Sequence, residues 1–180
     1  AIRAGAGTFV THLDLQSSAV LQGQIWRLLS YGLLHDGVGH LIGNLLLFYF
    51  FGLDIERQFG SKRLWVITAL CIMGGGVLAT LSASLGISAP NPVIGASGGG
   101  LGLLVCWCLL HARRSISLFG ILPLTGQQLL LLAVCLEILL AVSPGGASSS
   151  ATHLGGMLSG WALITGASNP LRWRQKMRLA

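Results

Sequence analysis

"GASGGGLGLLVCWCLLH", residues 95–111, sets one hydroxyl, that of Ser97, among glycines at the head of an apolar run. The stretch before it, "SAPNPVI", is broken by Pro90 and Pro92 and does not read as a strand. From Ser97 to Leu110 the run carries no charge. It reads as a helix in lipid, 97–111, with the serine at its first turn.

The rest of the chain calls for the same solvent. Of 180 residues, 53% are hydrophobic and 9% are charged, against about a quarter charged in ordinary soluble domains. Such a surface cannot be wetted. The net charge of +6 falls in a few clusters, which suit the inner face of a bilayer better than a nucleic-acid groove. No nucleic-acid partner is expected, and membrane lipids are. Cys71, Cys106, Cys108 and Cys135 all lie in apolar runs and read as small packing residues. No cofactor or metal is expected: the spacing of Cys106 and Cys108 is not that of a zinc site, and no H-E-x-x-H helix occurs.

Five spans are predicted, at 38–54, 64–85, 97–111, 126–142 and 152–168. Several are short for the ~20 residues that cross ~30 Å of hydrocarbon. Before them, "IWRLLSYGLLHDG" (25–37) reads as an interfacial or re-entrant helix, with Trp26 and Tyr31 at headgroup level. Arg57, Lys62 and Arg63 follow the first span, Arg113 and Arg114 the third, and Arg172, Arg174, Lys176 and Arg178 the fifth. The loops after the second and fourth carry no Lys or Arg. Spans one, three and five therefore start outside and run inward. The expected fold is all-α: a polytopic transmembrane helix bundle, with a pre-span segment (1–37), a catalytic core (38–168) and a basic cytoplasmic tail (169–180).

This orientation brings chemistry together. His40 and Asn44, four residues apart on one helical face, lie near the outer start of span one. Ser97 opens span three and His153 opens span five, both outside. Polar groups in lipid turn toward each other. Ser97 is the candidate nucleophile and His153 its base. The backbone N–H groups of Ser97 and Gly98, at a helix start, together with Asn44 and His40, are candidate donors to an oxyanion. Gly95 and Gly98 leave room beside the serine. Gly156 and Gly160 give span five a small-residue edge to pack on span three. The glycines at 74–76 read likewise as a packing surface.

Glu137, roughly 9 Å below the outer end of span four, is the odd residue. It is open to two readings: a third member orienting His153, or a structural or water-cavity residue. The second is preferred, and with it a mild effect for Glu137→Gln. His35 reads as a loop residue, and His12 and His111 have no evident partners.

Taken together, "WR" (26–27), "HLIGN" (40–44), "ER..G" (56–60), "GASG" (95–98) and "HLGG" with Gly160 (153–160) resemble the rhomboid intramembrane serine proteases. The resemblance covers about residues 25–168. It implies a Ser97–His153 dyad without a required acid, and an oxyanion site from His40, Asn44 and the Ser97 backbone. It implies transmembrane protein substrates, cleaved near the outer leaflet. It places Trp26–Arg27 in a first-loop structure, and Glu56 and Arg57 at the cytoplasmic side. It also implies a sixth span, upstream of residue 1. The family often has an aromatic ring against the histidine four residues after the serine; here that position is Leu101.

The function expected is that of an intramembrane serine endopeptidase, in a bacterial inner membrane. The alternative is a non-catalytic relative that binds or routes membrane proteins. A soluble hydrolase is disfavoured, although "GASGG" fits G-x-S-x-G, because no strand leads into the serine. The oligomeric state is not legible.

Overall fold

A computed structural model describes residues 7–118 and 122–166. Its pre-span segment holds three short helices, α1 (Gly7–Leu13), α2 (Ser17–Leu21) and α3 (Arg27–Ser30), with a 3-10 turn at Tyr31–Leu33. Next, α4 (Val38–Leu47) runs through a π-turn at Phe48–Gly52 into α5 (Leu53–Phe59). Then come α6 (Ser61–Ser84), α7 (Ser97–Leu110), the strands β1 (Ser115–Leu118) and β2 (Leu122–Thr125), α8 (Gly126–Val142) and α9 (Ala147–Thr165). Each predicted span is thus a helix. By length and composition, Val38–Phe59 and Ser61–Ser84 can cross a membrane, while α7 and α8 are shorter apolar helices. The basic tail lies outside the described residues.

The bundle is apolar outside and polar inside. Leu45, Phe50, Trp65, Leu81, Leu131, Leu139 and Trp161 are exposed, whereas Asn44, Thr68, Thr80, Glu137, Ser150 and Thr152 are buried. In water this would be unstable; in lipid it is expected, because hydrocarbon solvates leucine and not amides or carboxylates. At the centre runs α7, with Gly98–Gly100 and Gly102–Cys108 buried.

Glycine lets the helix backbones touch. A Cβ on Gly156 would strike the carbonyl oxygen of Gly98, and one turn on, a Cβ on Gly160 would strike that of Gly102. The pairing advances along both helices together, so α7 and α9 run parallel, as the charge pattern predicts. On the other side of α9, a Cβ on Gly75 would lie 2.5 Å from the Thr152 oxygen, and one on Gly74 3.1 Å from that of Gly155. The triple glycine is therefore a packing surface, as expected.

Two expectations need correction, and one element is new. First, α9 begins at Ala147 rather than 152, so His153 lies within the helix rather than at its start. "SSS" looks like a loop, but two of its three hydroxyls are held by carbonyls: Ser148 donates to Ala89 (2.8 Å) and Ser150 to Glu137 (2.7 Å). Second, Tyr31 is not presented to the headgroups. It is 1% exposed and its hydroxyl donates to the Ile72 carbonyl at 2.8 Å. The new element is an antiparallel hairpin in the loop between α7 and α8, with Ser115 opposite Thr125 and Leu118 opposite Leu122.

The pre-span segment is locked onto this bundle. Arg27 is buried and pairs with Asp14 at 2.7 Å, and it also donates to the carbonyls of Asp14 and Thr11. Trp26 is half exposed and donates to the His12 carbonyl. Leu15 exchanges two backbone hydrogen bonds with Val93 (2.9 and 3.0 Å), and Gly95 N–H donates to the Tyr31 carbonyl at 3.0 Å. The loop that delivers Ser97 is therefore fixed from outside the bundle.

At the opposite end of α7, the Asp54 carboxylate accepts from Trp107 (2.9 Å) and Arg114 (3.2 Å), joining α5 to α7. Arg57 reaches Asp54, and Glu56 accepts from Ser61. His111 stacks on Trp107 and meets Gln58 at 3.0 Å. Cys71, Cys106 and Cys108 are buried as packing residues; Cys135 is exposed.

Candidate active site

Gly95 has φ +122°, a conformation that disfavours side chains. A Cβ there would also lie 2.5 Å from His40 Nε2 and 3.7 Å from Asn44 Nδ2. Glycine is thus required twice over, for the turn and for the approach of His40 and Asn44 to the backbone ahead of the serine. Ser97 then opens α7, where helix geometry leaves the first N–H groups without intrahelical acceptors.

The serine meets an imidazole. Ser97 Oγ lies 2.7 Å from Nε2 of His153. The pair sits 56 residues apart in sequence and is joined by the glycine seam between α7 and α9. On the other edge of the ring, Nδ1 lies 2.9 Å from Glu137 Oε2. The sequence leaves Glu137 open to an orienting role or to a structural or cavity role, and its carboxylate faces His153. Helix α9 carries a second contact to it, because the Ser150 hydroxyl, one turn before His153, also lies 3.4 Å from Oε2. In the sequence, Ser150 is signalled only by its i, i+3 spacing to His153 on one helix.

Asn44 is 4% exposed, and its Nδ2 has no hydrogen-bond partner among the described residues. A buried amide left unpaired costs stability, and this N–H group can donate to an acceptor brought to the site. The Nδ1 of His40 faces the Asp36 N–H at 3.4 Å, and its ring meets His35 edge-on, with centroids 5.1 Å apart. Burial, then the neighbouring His40, hold the His35 imidazole below its usual pKa range. His35 stands beside His40 in the loop before α4 and does not reach the serine pair. Leu101 packs against the main apolar cluster, and no aromatic ring stacks on His153 among the described residues.

A rhomboid domain profile matches residues 22–169. The chain belongs to the rhomboid family. RHOMBOID-like protein 4 of Arabidopsis thaliana is 30% identical over 159 residues, covering 87% of this chain and 38% of that protein. Rhomboid protease GluP of Bacillus subtilis is 28% identical over 157 residues, 86% of this chain and 28% of its own length. Rhomboid-like protease 3 of Toxoplasma gondii is 28% identical over 149 residues, 78% and 51% respectively. The chain spans about two fifths of the length of the first Arabidopsis relatives it matches. Rhomboids are integral membrane proteins, and the family includes proteases, as two of these names state.

Proposed function

We propose that this rhomboid is an intramembrane serine endopeptidase acting on transmembrane segments of other proteins. The observation that carries the reading is the 2.7 Å approach of Ser97 Oγ to His153 Nε2. In this mechanism Ser97 Oγ attacks the scissile carbonyl while its proton passes to Nε2. The C–O bond forms and the carbonyl oxygen becomes negative. The Ser97 and Gly98 N–H groups and the free Nδ2 of Asn44 donate to that oxygen, with His40 beside them. The C–N bond then breaks, His153 returns the proton to the leaving amine, and an ester remains on Ser97. Water, deprotonated by the same imidazole, attacks that ester and frees the serine.

The serine pair lies at the end of α7 remote from Arg113 and Arg114. The positive-inside rule puts that end outside, which suits cleavage near the outer leaflet of a bacterial inner membrane. A substrate helix has its carbonyls bonded internally, so it must unwind before one is open to attack.

The test is cleavage of a single-pass transmembrane substrate in liposomes. The parent is expected to cut it and Ser97→Ala to leave it whole. Equal cleavage by both overturns the reading. A parent that binds the substrate but leaves it intact favours the non-catalytic alternative. Asn44→Ala is expected to lower kcat by roughly 10²–10³-fold with KM little changed, because its donor acts on charge present only in the transition state. An unchanged kcat would remove Asn44 from the oxyanion site.

A further inference from the structure

We infer that Glu137 is a positioning residue of this site: its carboxylate fixes the His153 imidazole through Nδ1 and compensates the positive charge the ring acquires in turnover. The inference rests on the Ser97–His153 reading above. It adds an acid to a dyad that the family resemblance leaves without one.

The two ring nitrogens have separate partners, Ser97 Oγ at 2.7 Å on Nε2 and Glu137 Oε2 at 2.9 Å on Nδ1. For Ser97 to donate its proton, Nε2 must be bare, so the neutral ring carries its hydrogen on Nδ1. The carboxylate oxygen accepts that hydrogen and holds the ring in the one tautomer that can act as base. When Nε2 gains the serine proton, the ring becomes cationic inside a low-dielectric bundle. The Glu137 charge then lies in direct contact with the new one. No proton needs to move to Glu137, and the ring returns to neutrality when the leaving amine is protonated.

The carboxylate is itself held in place. Glu137 is 8% exposed, within α8. Ser150 touches both its backbone oxygen (2.7 Å) and its Oε2 (3.4 Å). Ser150 and His153 lie one turn apart, so α9 offers a hydroxyl and an imidazole to the same carboxyl group. A residue that merely joined α8 to α9 would not need a charge, and a buried carboxylate is expensive in lipid. Nor does a stacked aromatic ring restrain His153 among the described residues, which leaves Glu137 as its polar restraint opposite the serine.

Glu137→Gln keeps the volume and a carbonyl oxygen but removes the charge. It is expected to lower kcat by about 10²–10⁴-fold, by analogy with the acid of soluble serine proteases. KM and the thermal midpoint in detergent should stay near the parent's. Glu137→Asp, which restores the charge on a shorter stem, should recover part of the loss. In proton NMR the parent should show a low-field Nδ1–H resonance that is absent from Glu137→Gln and His153→Ala. Parental kcat in Glu137→Gln, or no recovery in Glu137→Asp beyond the glutamine level, overturns the role. Ser97→Ala in the same assay separates the two claims. If Ser97→Ala is inactive while Glu137→Gln runs at the parental rate, only the role of Glu137 falls. If Ser97→Ala is fully active, the protease reading falls, and this inference with it.

Discussion

His153→Ala is expected to abolish cleavage of a transmembrane substrate while leaving the bundle folded. A serine hydroxyl at neutral pH holds its proton unless a base within hydrogen-bond reach removes it. The only imidazole hydrogen-bonded to Ser97 among the described residues is that of His153. In soluble serine proteases, loss of the base costs about 10⁶-fold in kcat, with residual turnover from the oxyanion donors and binding. A loss of at least about 10⁴-fold is therefore expected here. The side chain is partly buried and contributes two polar contacts, to Ser97 and Glu137. Its removal should leave far-UV circular dichroism and detergent elution unchanged. Single-turnover kinetics in liposomes measures the loss, and turnover within tenfold of the parent would show that another group takes the proton.

Gly156→Val should also be damaging, for a different reason. Position 156 is not chemical; it is where α9 lies directly on α7. A Cβ there meets the Gly98 carbonyl oxygen and comes within 2.6 Å of its carbon. These are backbone atoms of the residue next to Ser97, so no side chain can swing aside. The helices must separate, and the Ser97–His153 contact opens. Misplacement of a catalytic pair by about 1 Å is worth roughly 10² in rate, and overpacking adds about 1–3 kcal/mol of destabilisation. Both a lower thermal midpoint and a loss of cleavage exceeding about 100-fold are expected. Gly43→Ala is the control: a Cβ on Gly43 meets nothing within 4 Å, so alanine should preserve activity and gain slightly in helix propensity. Parental activity in Gly156→Val would mean that the seam does not set the geometry of the site.

Helix order and direction were legible because lipid imposes a coarse rule: apolar runs become helices, and basic loops stay inside. The seam was legible from glycine spacing, since Gly156 and Gly160 on one helix need backbone opposite them, and Gly98 and Gly102 supply it. Boundaries were less legible. Within 147–151, carbonyls of neighbouring segments accept the hydroxyls of Ser148 and Ser150, and that depends on tertiary partners. Tyr31 was misplaced for the same reason: a tyrosine suits an interface unless a buried carbonyl awaits its hydroxyl, and Ile72 provides one. The hairpin at 115–125 is four residues a strand, too short to stand out between apolar helices. Glu137 could be flagged as anomalous from sequence, but its partner could not be chosen. That choice depends on which face of α8 meets α9, and a helix apolar nearly all round does not reveal its facing side.

The central claim is that Ser97 is a nucleophile activated inside the bundle, and covalent labelling addresses it most directly. The folded protein in liposomes is treated with a fluorophosphonate probe, and the modified residue is mapped by mass spectrometry for the parent, Ser97→Ala and His153→Ala. The account predicts a single adduct on Ser97 in the parent, none in Ser97→Ala and a strongly slowed reaction in His153→Ala. Labelling that persists in Ser97→Ala, or that proceeds at the parental rate without His153, would contradict it.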